Sequence, residues 1–247
     1  MSDMFDNSQL IDELLATVAL TELSPDVFEG ASHDYVGSRI FGGQVLAQAI
    51  MAASHTLNED KPCHSLHGYF LRGGDIKQPV IYQVRRLRDG RSLSAREVTA
   101  IQHKQVQGKE PIEQVIFSMI ASFSPAEEGL EYQESMPVYP PPEDLASEQE
   151  LKDEHVGKVP DALKARFMRR RHVEIKPVKP RDPINPTPMK PKQANWLRIR
   201  ELGNQPVAIQ QALLAFSSDF YLVGTGLMSH GVSFMTSGLQ AASIDHS

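Results

Sequence analysis

Two polar residues in the last part of the sequence are of types that can activate a water molecule. Asp219 lies near the end of an apolar helical stretch, where its carboxylate could accept a proton from water. Ser243 begins the final polar segment, and its hydroxyl could hold a water molecule or a carbonyl oxygen. The structural alternatives are a solvent-facing helix residue and an ordinary polar strand residue. Asp219 and Ser243 are therefore the candidate catalytic residues.

The same final segment also suggests a serine triad. Asp245 and His246 lie close to Ser243 and Ser247 in the sequence. Adjacent residues of a strand point to opposite faces, so consecutive side chains seldom converge on one atom. The sequence also lacks the Gly-x-Ser-x-Gly turn that carries the nucleophile in one large class of hydrolases. We therefore expect no serine triad.

Two glycines, Gly42 and Gly43, come directly before an alanine-rich helical stretch. The first turn of a helix has N–H groups without intrahelical acceptors, and these groups can bind an anion or a carbonyl oxygen. Glycine also permits close packing of one backbone against another, and the sequence does not decide between the two roles. Gly42 and Gly43 are the candidate substrate-binding residues.

The single cysteine, Cys63, lies near His64 and His67, which suggests a metal site or a thiol nucleophile. One cysteine beside two histidines at this spacing is a weak signal, and no further ligand cluster appears in the sequence. We expect ordinary core or surface residues here, with no metal and no cofactor. A single cysteine also excludes an intramolecular disulfide, which suits a reducing, cytoplasmic location.

Composition limits the partners that this protein could have. The chain has 247 residues and a net charge of −6, so we expect no binding to nucleic acid. The acidic N-terminal segment does not resemble a signal peptide. No apolar run approaches the roughly 20 residues that span a bilayer, so we expect no membrane partner. The basic run Arg169–Arg171 could contact phosphate groups, although a solvated surface is the simpler interpretation.

The elements that must position these residues begin with one helix followed by strands. From Gln44 to Thr56 nearly every residue is small or apolar, which predicts a helix that is buried almost all round. Turn signals such as Asp89-Gly90 separate the strand-like segments that follow it. These segments are Ser65–Leu71, Val80–Leu87, Leu93–Gln102 and Glu113–Phe123. The order predicts an antiparallel sheet that curves around the helix.

The second half of the sequence repeats this order after a proline-rich, acidic stretch. Residues 47–56 (AQAIMAASHT) align with residues 210–219 (QQALLAFSSD), so that Gln, Ala, Ala and Ser recur in register. The other predicted elements are short helices at Glu143–His155 and Pro160–Met168, strands at His172–Val178, Ala194–Arg200 and Ala241–His246, and a helix from Pro206 to about Leu222. We expect a first domain at residues 1–124, a linker with short helices at 125–168 and a second domain at 169–247.

Several motifs resemble those of type-II acyl-CoA thioesterases. Residues 38–49 (SRIFGGQVLAQA) are similar to the first central helix of that family. Residues 67–75 (HGYFLRGGD) resemble its next strand and turn, and residues 88–96 (RDGRSLSAR) resemble its hairpin. Ser218-Asp219 and residues 242–247 (ASIDHS) resemble two catalytic segments of its second half. The resemblance implies a homo-oligomeric α+β protein with a double hot-dog fold, in which two tandem copies of a long central helix are each wrapped by an antiparallel β-sheet.

The resemblance also implies a reaction. It is the hydrolysis of fatty-acyl-CoA to free fatty acid and CoA by a water molecule that an Asp, a Ser or Thr, and a Gln activate. The Asp maps to Asp219 and the hydroxyl residue to Ser243, where Thr is commoner in the family; the Gln maps to no residue of this sequence. The alternatives are a catalytically inactive acyl-CoA-binding protein of the same fold and a hydratase that acts on enoyl thioesters.

The repeat further predicts that the second copy is incomplete. Four strands of the first copy occupy residues 65–124, whereas five residues run from Ser243 to Ser247. We therefore expect a chain truncated within its second sheet. The open strand edges and the uncovered helix face of such a chain would favour an inactive or poorly soluble product.

Overall fold

The computed structural model describes residues 7–37, 39–58, 61–105, 108 and 110–247, and these residues form two compact units. The first unit takes its described residues from the chain up to Glu127, from Gly203–Asp219 and from Ser243–Ser247. The second unit comprises Glu128–Leu202 and Phe220–Ala242. The domain bounds predicted at residues 124 and 168 stay a prediction. They were drawn from the internal sequence repeat, whereas these two units are defined by contacts in the folded chain.

The helices and strands follow the predicted order along the chain. They are α1 (Asn7–Val18), β1 (Leu20–Ser24), β2 (Val27–Gly30), α2 (Gly42–His55), β3 (Cys63–Phe70), β4 (Val80–Asp89), β5 (Ser94–Lys104), β6 (Ile112–Phe123), α3 (Glu148–His155), α4 (Asp161–Phe167), β7 (Glu174–Pro177), β8 (Asn195–Arg198), α5 (Val207–Ser218), α6 (Leu222–Leu227) and β9 (Asp245–His246), with short 3-10 helices at Pro142–Asp144, Val156–Lys158 and Met228–His230. The hairpin β1–β2 and the short helix α6 are elements that the sequence did not predict.

A large antiparallel sheet belongs to the first unit. In the described part of the chain its strand order is β1-β2-β4-β5-β6-β3-β9, and every neighbouring pair is antiparallel. Helix α2 contacts each of the strands β1 to β6. On β4 the alternating residues Val80, Tyr82 and Val84 are buried, as expected for a strand with one face toward a core. The predicted helix wrapped by an antiparallel sheet is confirmed.

Helix α2 is buried along its whole length from Gly43 to Ala53. Its polar residue Gln48 is fully buried, so its amide must find partners inside the protein. The Nε2 of Gln48 donates to the carbonyl oxygens of Thr17 at 2.7 Å and Ala31 at 2.9 Å, and its Oε1 accepts from the Tyr82 hydroxyl at 2.7 Å. Burial raises the pKa of Tyr82 well above its ordinary value. The Gln48 amide therefore joins α2 to β4, to α1 and to the segment that follows β2.

Helix α5, which the repeat aligned with α2, packs directly against it. A Cβ atom on Gly43 would lie 2.4 Å from the carbonyl oxygen of Phe216, so only glycine allows the observed approach. Gln211 occupies the position that the alignment matches with Gln48, but its partner is different. It exchanges two hydrogen bonds of 2.8 Å with the backbone of Cys63, which attaches α5 to β3. The two helices of the repeat thus lie together in one core.

The second unit contains the two-stranded antiparallel sheet β7–β8 and a half-buried ionic cluster. Glu148 forms ion pairs with Lys152 at 2.6 Å and Arg171 at 2.8 Å, and it accepts a hydrogen bond from the Tyr221 hydroxyl at 2.8 Å. Burial acts to raise the pKa of Glu148, but the charges of Arg171 and Lys152 outweigh it, so the pKa is lowered. Arg171 also lies 4.7 Å from the ring centre of Phe220. Arg171 therefore serves the internal structure of this unit.

The expectation that no apolar run is long enough to span a bilayer was wrong. The 24 residues Val207–His230 are long and apolar enough to cross a membrane, by length and composition only, and contain an 18-residue window with a mean hydropathy of 1.2. In the structure this stretch is not one helix, because α5 ends at Ser218 and Tyr221 has left-handed backbone with φ of 71°. The helix predicted from Pro206 to Leu222 therefore ends earlier than expected. Contact with α2 accounts for the apolar character of α5, since a core helix has the same composition.

Arg96 is a fully buried cation at the C-terminal end of α2. Its Nε donates to the Thr56 hydroxyl at 2.7 Å, and its Nη2 donates to the Thr56 carbonyl oxygen at 3.1 Å and to Asp89 Oδ1 at 2.5 Å. Its Nη1 donates to the Arg88 carbonyl oxygen at 2.9 Å. A cation is favoured at this end of a helix because the last carbonyl groups have no intrahelical donors.

The substitution Arg96→Met should lower the free energy of unfolding by about 2–3 kcal/mol, because it leaves buried carbonyl groups without donors. Chemical denaturation of purified protein measures this loss. Arg85→Met is the matched control: the Arg85 side chain is 71% exposed and pairs with Glu97 on the neighbouring strand, so it should lose less than about 1 kcal/mol. Equal losses in the two variants would show that the buried guanidinium is not the stabilising group.

Candidate active site

The carboxylate of Asp219 lies at the N-terminal end of α2. Asp219 directly follows the last residue of α5, and its Oδ2 accepts a hydrogen bond from the Gly43 N–H at 2.9 Å. Its side chain is only 7% exposed, so most of its hydration is lost. A first-turn N–H and the positive end of the helix dipole partly replace that hydration. The fold thus joins two residues that the sequence selected separately.

Close packing leaves little room for a side chain at either candidate glycine. A Cβ on Gly42 would lie 2.7 Å from Asp219 Oδ2 and 3.0 Å from Cζ of Phe70. At Gly43 the obstructing atom is the Phe216 carbonyl oxygen, which is backbone and cannot turn aside. The Gly43 N–H binds a carboxylate of the protein itself. Gly42 lies in the first turn of α2, where the helix offers its N–H no acceptor, so it is the better candidate for a substrate oxygen.

The second candidate catalytic residue, Ser243, meets the same carboxylate. Its hydroxyl donates to Asp219 Oδ1 at 3.3 Å, which is long for a hydrogen bond between oxygens. The following residues hold it in place through the sheet: the Phe70 N–H donates to the Ile244 carbonyl oxygen at 2.8 Å. Strand β9 then pairs with β3. The addition of β9 to the sheet edge therefore brings Ser243 to Asp219.

A histidine that the sequence analysis set aside also lies in the site. The Nδ1 of His246 is 3.8 Å from Asp219 Oδ1, its Nε2 is 2.9 Å from the Ser218 hydroxyl, and its side chain is 6% exposed. Its neighbour Asp245 is exposed and contacts Nε2 of His67 at 3.0 Å. The alternation of strand side chains, which argued against a triad, is observed. It holds for Asp245 and His246, whereas Ser243 and His246 both lie near Asp219 Oδ1.

The cysteine and histidines near the start of β3 have ordinary structural roles. His64 is hydrogen bonded to the Ser122 hydroxyl at 2.9 Å, and His67 contacts Asp245. Burial raises the pKa of the Cys63 thiol, which disfavours the thiolate form that a nucleophile needs. No three His, Cys, Asp or Glu residues gather into a metal-binding group within the part of the chain that the structure describes.

The arrangement suits a reaction in which water is the nucleophile. The carboxylate of Asp219 can accept a proton from water, and the hydroxyl of Ser243 donates to Oδ1 of that carboxylate. The N–H of Gly42, at the positive end of α2, can stabilise negative charge that develops on a carbonyl oxygen. These are the components that hydrolysis of an activated ester or thioester requires.

Comparisons with known proteins identify the family of this chain. A family model described as "Acyl-CoA thioesterase N-terminal domain" matches residues 31–124, and one described as "Acyl-CoA thioesterase" matches residues 162–247. Acyl-CoA thioesterase 2 of Haemophilus influenzae is 36% identical over 240 residues, which cover 97% of this chain and 81% of that protein. Of the motif at residues 38–49 on which the resemblance rested, Ser38 lies outside the described residues.

Solved structures show the same fold. The crystal structure of acyl-CoA thioesterase II from Mycobacterium marinum has a TM-score of 0.66 and 32% identity, and the match covers 94% of this chain and 76% of that chain. A hot-dog protein of unknown function from Alicyclobacillus acidocaldarius has a TM-score of 0.65 at 17% identity, with coverage of 89% and 73%. The predicted α+β double hot-dog fold is confirmed. On its motifs, its fold and its identity to these relatives, the chain belongs to the type-II acyl-CoA thioesterase family.

Proposed function

We propose that this protein hydrolyses acyl-CoA thioesters to a free acid and CoA, with Asp219 as the residue that activates water. Family membership supports the reaction class, since relatives in two bacteria are named acyl-CoA thioesterases. The observation that carries the assignment of residues is the buried Asp219 carboxylate, which is held between the Gly43 N–H and the Ser243 hydroxyl.

The proposed reaction needs one proton acceptor and one site for the oxyanion. The Asp219 carboxylate takes a proton from water while the water oxygen attacks the carbonyl carbon of the thioester. The carbonyl oxygen becomes an oxyanion, which the Gly42 N–H stabilises. When the tetrahedral intermediate collapses, the carbon–sulfur bond breaks and the CoA thiolate takes the proton back from Asp219. The proton balance closes without a covalent enzyme intermediate.

The two alternative functions receive no support from the site. An acyl-CoA-binding protein without activity would have no need of a buried carboxylate with a hydroxyl partner, and Ser243 retains that hydroxyl. A hydratase would act on an unsaturated thioester and would release no thiol from a saturated one. A cytoplasmic location and a homo-oligomeric assembly stay predictions from the sequence.

The variant Asp219→Asn should reduce kcat by at least about 100-fold, because the amide cannot accept the proton from water. It should still bind acyl-CoA, because the amide has nearly the shape of the carboxylate and its oxygen can still accept from the Gly43 N–H. Release of free thiol from a saturated acyl-CoA measures the rate, and calorimetry measures binding.

Asp245→Asn is the matched control, since it makes the same chemical change on an exposed side chain of the neighbouring segment. We expect it to keep the activity of the unmodified protein. If Asp219→Asn turned over acyl-CoA at the rate of this control, another residue would have to be the proton acceptor.

The two variants Ser243→Ala and Ser243→Thr should differ in kcat, because only the second keeps the hydroxyl. Ser243→Ala should lower kcat about tenfold, because Asp219 loses a hydrogen bond whose net contribution is on the order of 1 kcal/mol. Ser243→Thr keeps the hydroxyl and restricts its rotation, so its kcat should equal or exceed that of the unmodified protein. The same thiol-release assay checks both. A loss as large in Thr as in Ala would mean that the hydroxyl does not orient the carboxylate.

A further inference from the structure

The buried imidazole of His246 has one nitrogen that the structure leaves without a hydrogen bond. Its Nε2 contacts the Ser218 hydroxyl at 2.9 Å, whereas its Nδ1 has no hydrogen-bond partner among the residues that the structure describes. That nitrogen lies 3.8 Å from Asp219 Oδ1, within ion-pair range but beyond hydrogen-bond distance. A buried polar atom without a partner is costly, so its presence beside the proton acceptor calls for a functional account.

The hydrogen bonds of Ser218 determine where the imidazole carries its proton. A serine hydroxyl has a single proton, and that of Ser218 is donated to the Ala215 carbonyl oxygen at 2.8 Å. With its proton on that carbonyl oxygen, the hydroxyl accepts in its contact with His246, and the matching tautomer has its hydrogen on Nε2. In a neutral imidazole Nδ1 is then a bare acceptor that faces the carboxylate oxygen of Asp219. Two acceptors that face each other repel, and a proton on Nδ1 converts this repulsion into a charge-assisted attraction.

The described contacts of the imidazole with charged groups come down to one carboxylate, Asp219. Its partner on the neighbouring strand β3 is Gly68, which has no side chain. Asp245, the next residue along β9, is exposed and binds His67. The titratable group that faces His246 from α5 is Asp219.

We propose that His246 is a positioning residue that acts through Asp219, with a proton on Nδ1 that holds Oδ1 of the carboxylate. This inference rests on the proposed function, in which Asp219 is the proton acceptor. The other described contact of Oδ1 is the long 3.3 Å hydrogen bond from Ser243, which by itself restrains the carboxylate weakly. An N–H at Nδ1 gives Oδ1 a second donor and so fixes the orientation of the carboxylate that receives the proton of the attacking water.

The competing explanation is purely structural, in which His246 attaches β9 to the end of α5 through Ser218. Two amide variants separate the explanations because each copies one nitrogen of the ring. The asparagine amide lies at the position of Nδ1, toward Asp219, and the longer glutamine amide reaches the position of Nε2, toward Ser218. Both are neutral, polar and close in volume to histidine.

The test measures kcat, KM and the midpoint of thermal unfolding for the full chain with a saturated acyl-CoA. We expect His246→Asn to keep kcat within about threefold and His246→Gln to lose about 10- to 100-fold, with KM unchanged in both. The structural explanation predicts the reverse order, and equal values of kcat for the two variants would also overturn the proposal. If His246→Gln does not fold, His246→Ala replaces it and must lose activity relative to His246→Asn.

A double-mutant cycle tests whether His246 acts through Asp219. In the Asp219→Asn background, His246→Gln should change the residual rate less than twofold, because the group on which it acts is gone. A further fall of tenfold would mean an independent role and would overturn the proposal.

His67→Gln is the control, since this histidine is 45% exposed and lies on the adjoining strand; we expect no change of rate. If the unmodified protein releases no thiol, the proposed function itself fails. If it is active and the predicted order of variants is absent, only the role of His246 fails.

Discussion

The close approach of α5 to the first turn of α2 is the contact on which the candidate site depends. Gly43 permits it, since any side chain there would collide with the Phe216 carbonyl oxygen. The same approach carries Asp219 to the positive end of α2 and removes its carboxylate from water. A carboxylate in that position is stabilised by N–H groups and by the helix dipole, and it keeps acceptor capacity for water. Packing and chemistry therefore depend on one contact.

The two copies of the repeat use one helix position for different purposes. The alignment of residues 47–56 with 210–219 matches Thr56 with Asp219, and each is the residue directly after its helix, α2 or α5. Thr56 binds the guanidinium of Arg96, which neutralises the end of α2 inside the core. Asp219 instead accepts from Gly43 across the helix pair. The C-terminal end of α2 thus stabilises the core, whereas the C-terminal end of α5 carries the candidate catalytic carboxylate.

The buried polar groups of the first unit connect elements that are distant in sequence. Gln48 joins α2 to β4, Gln211 joins α5 to β3, and His246 lies between β9 and the end of α5. Each group would be costly inside an apolar core if it were unpaired, so each specifies one arrangement of its neighbours. The Nδ1 of His246 departs from this rule, since no described residue pairs with it, and it lies at the proposed site of reaction.

The sequence by itself determined α2, the strands β3 to β6 and their turns, because period, glycine pairs and an Asp-Gly turn are local signals. Its motifs also identified Asp219, Ser243, Gly42 and Gly43 as candidates. Tertiary structure decided what those residues contact. The hydrogen bond between Gly43 and Asp219 joins positions 176 residues apart. No Gly or Pro marks the end of α5 before Tyr221. His246 enters the site only because β9 pairs with β3. Local patterns cannot encode such distances, since the energy that fixes them comes from packing between segments that meet only in the folded chain.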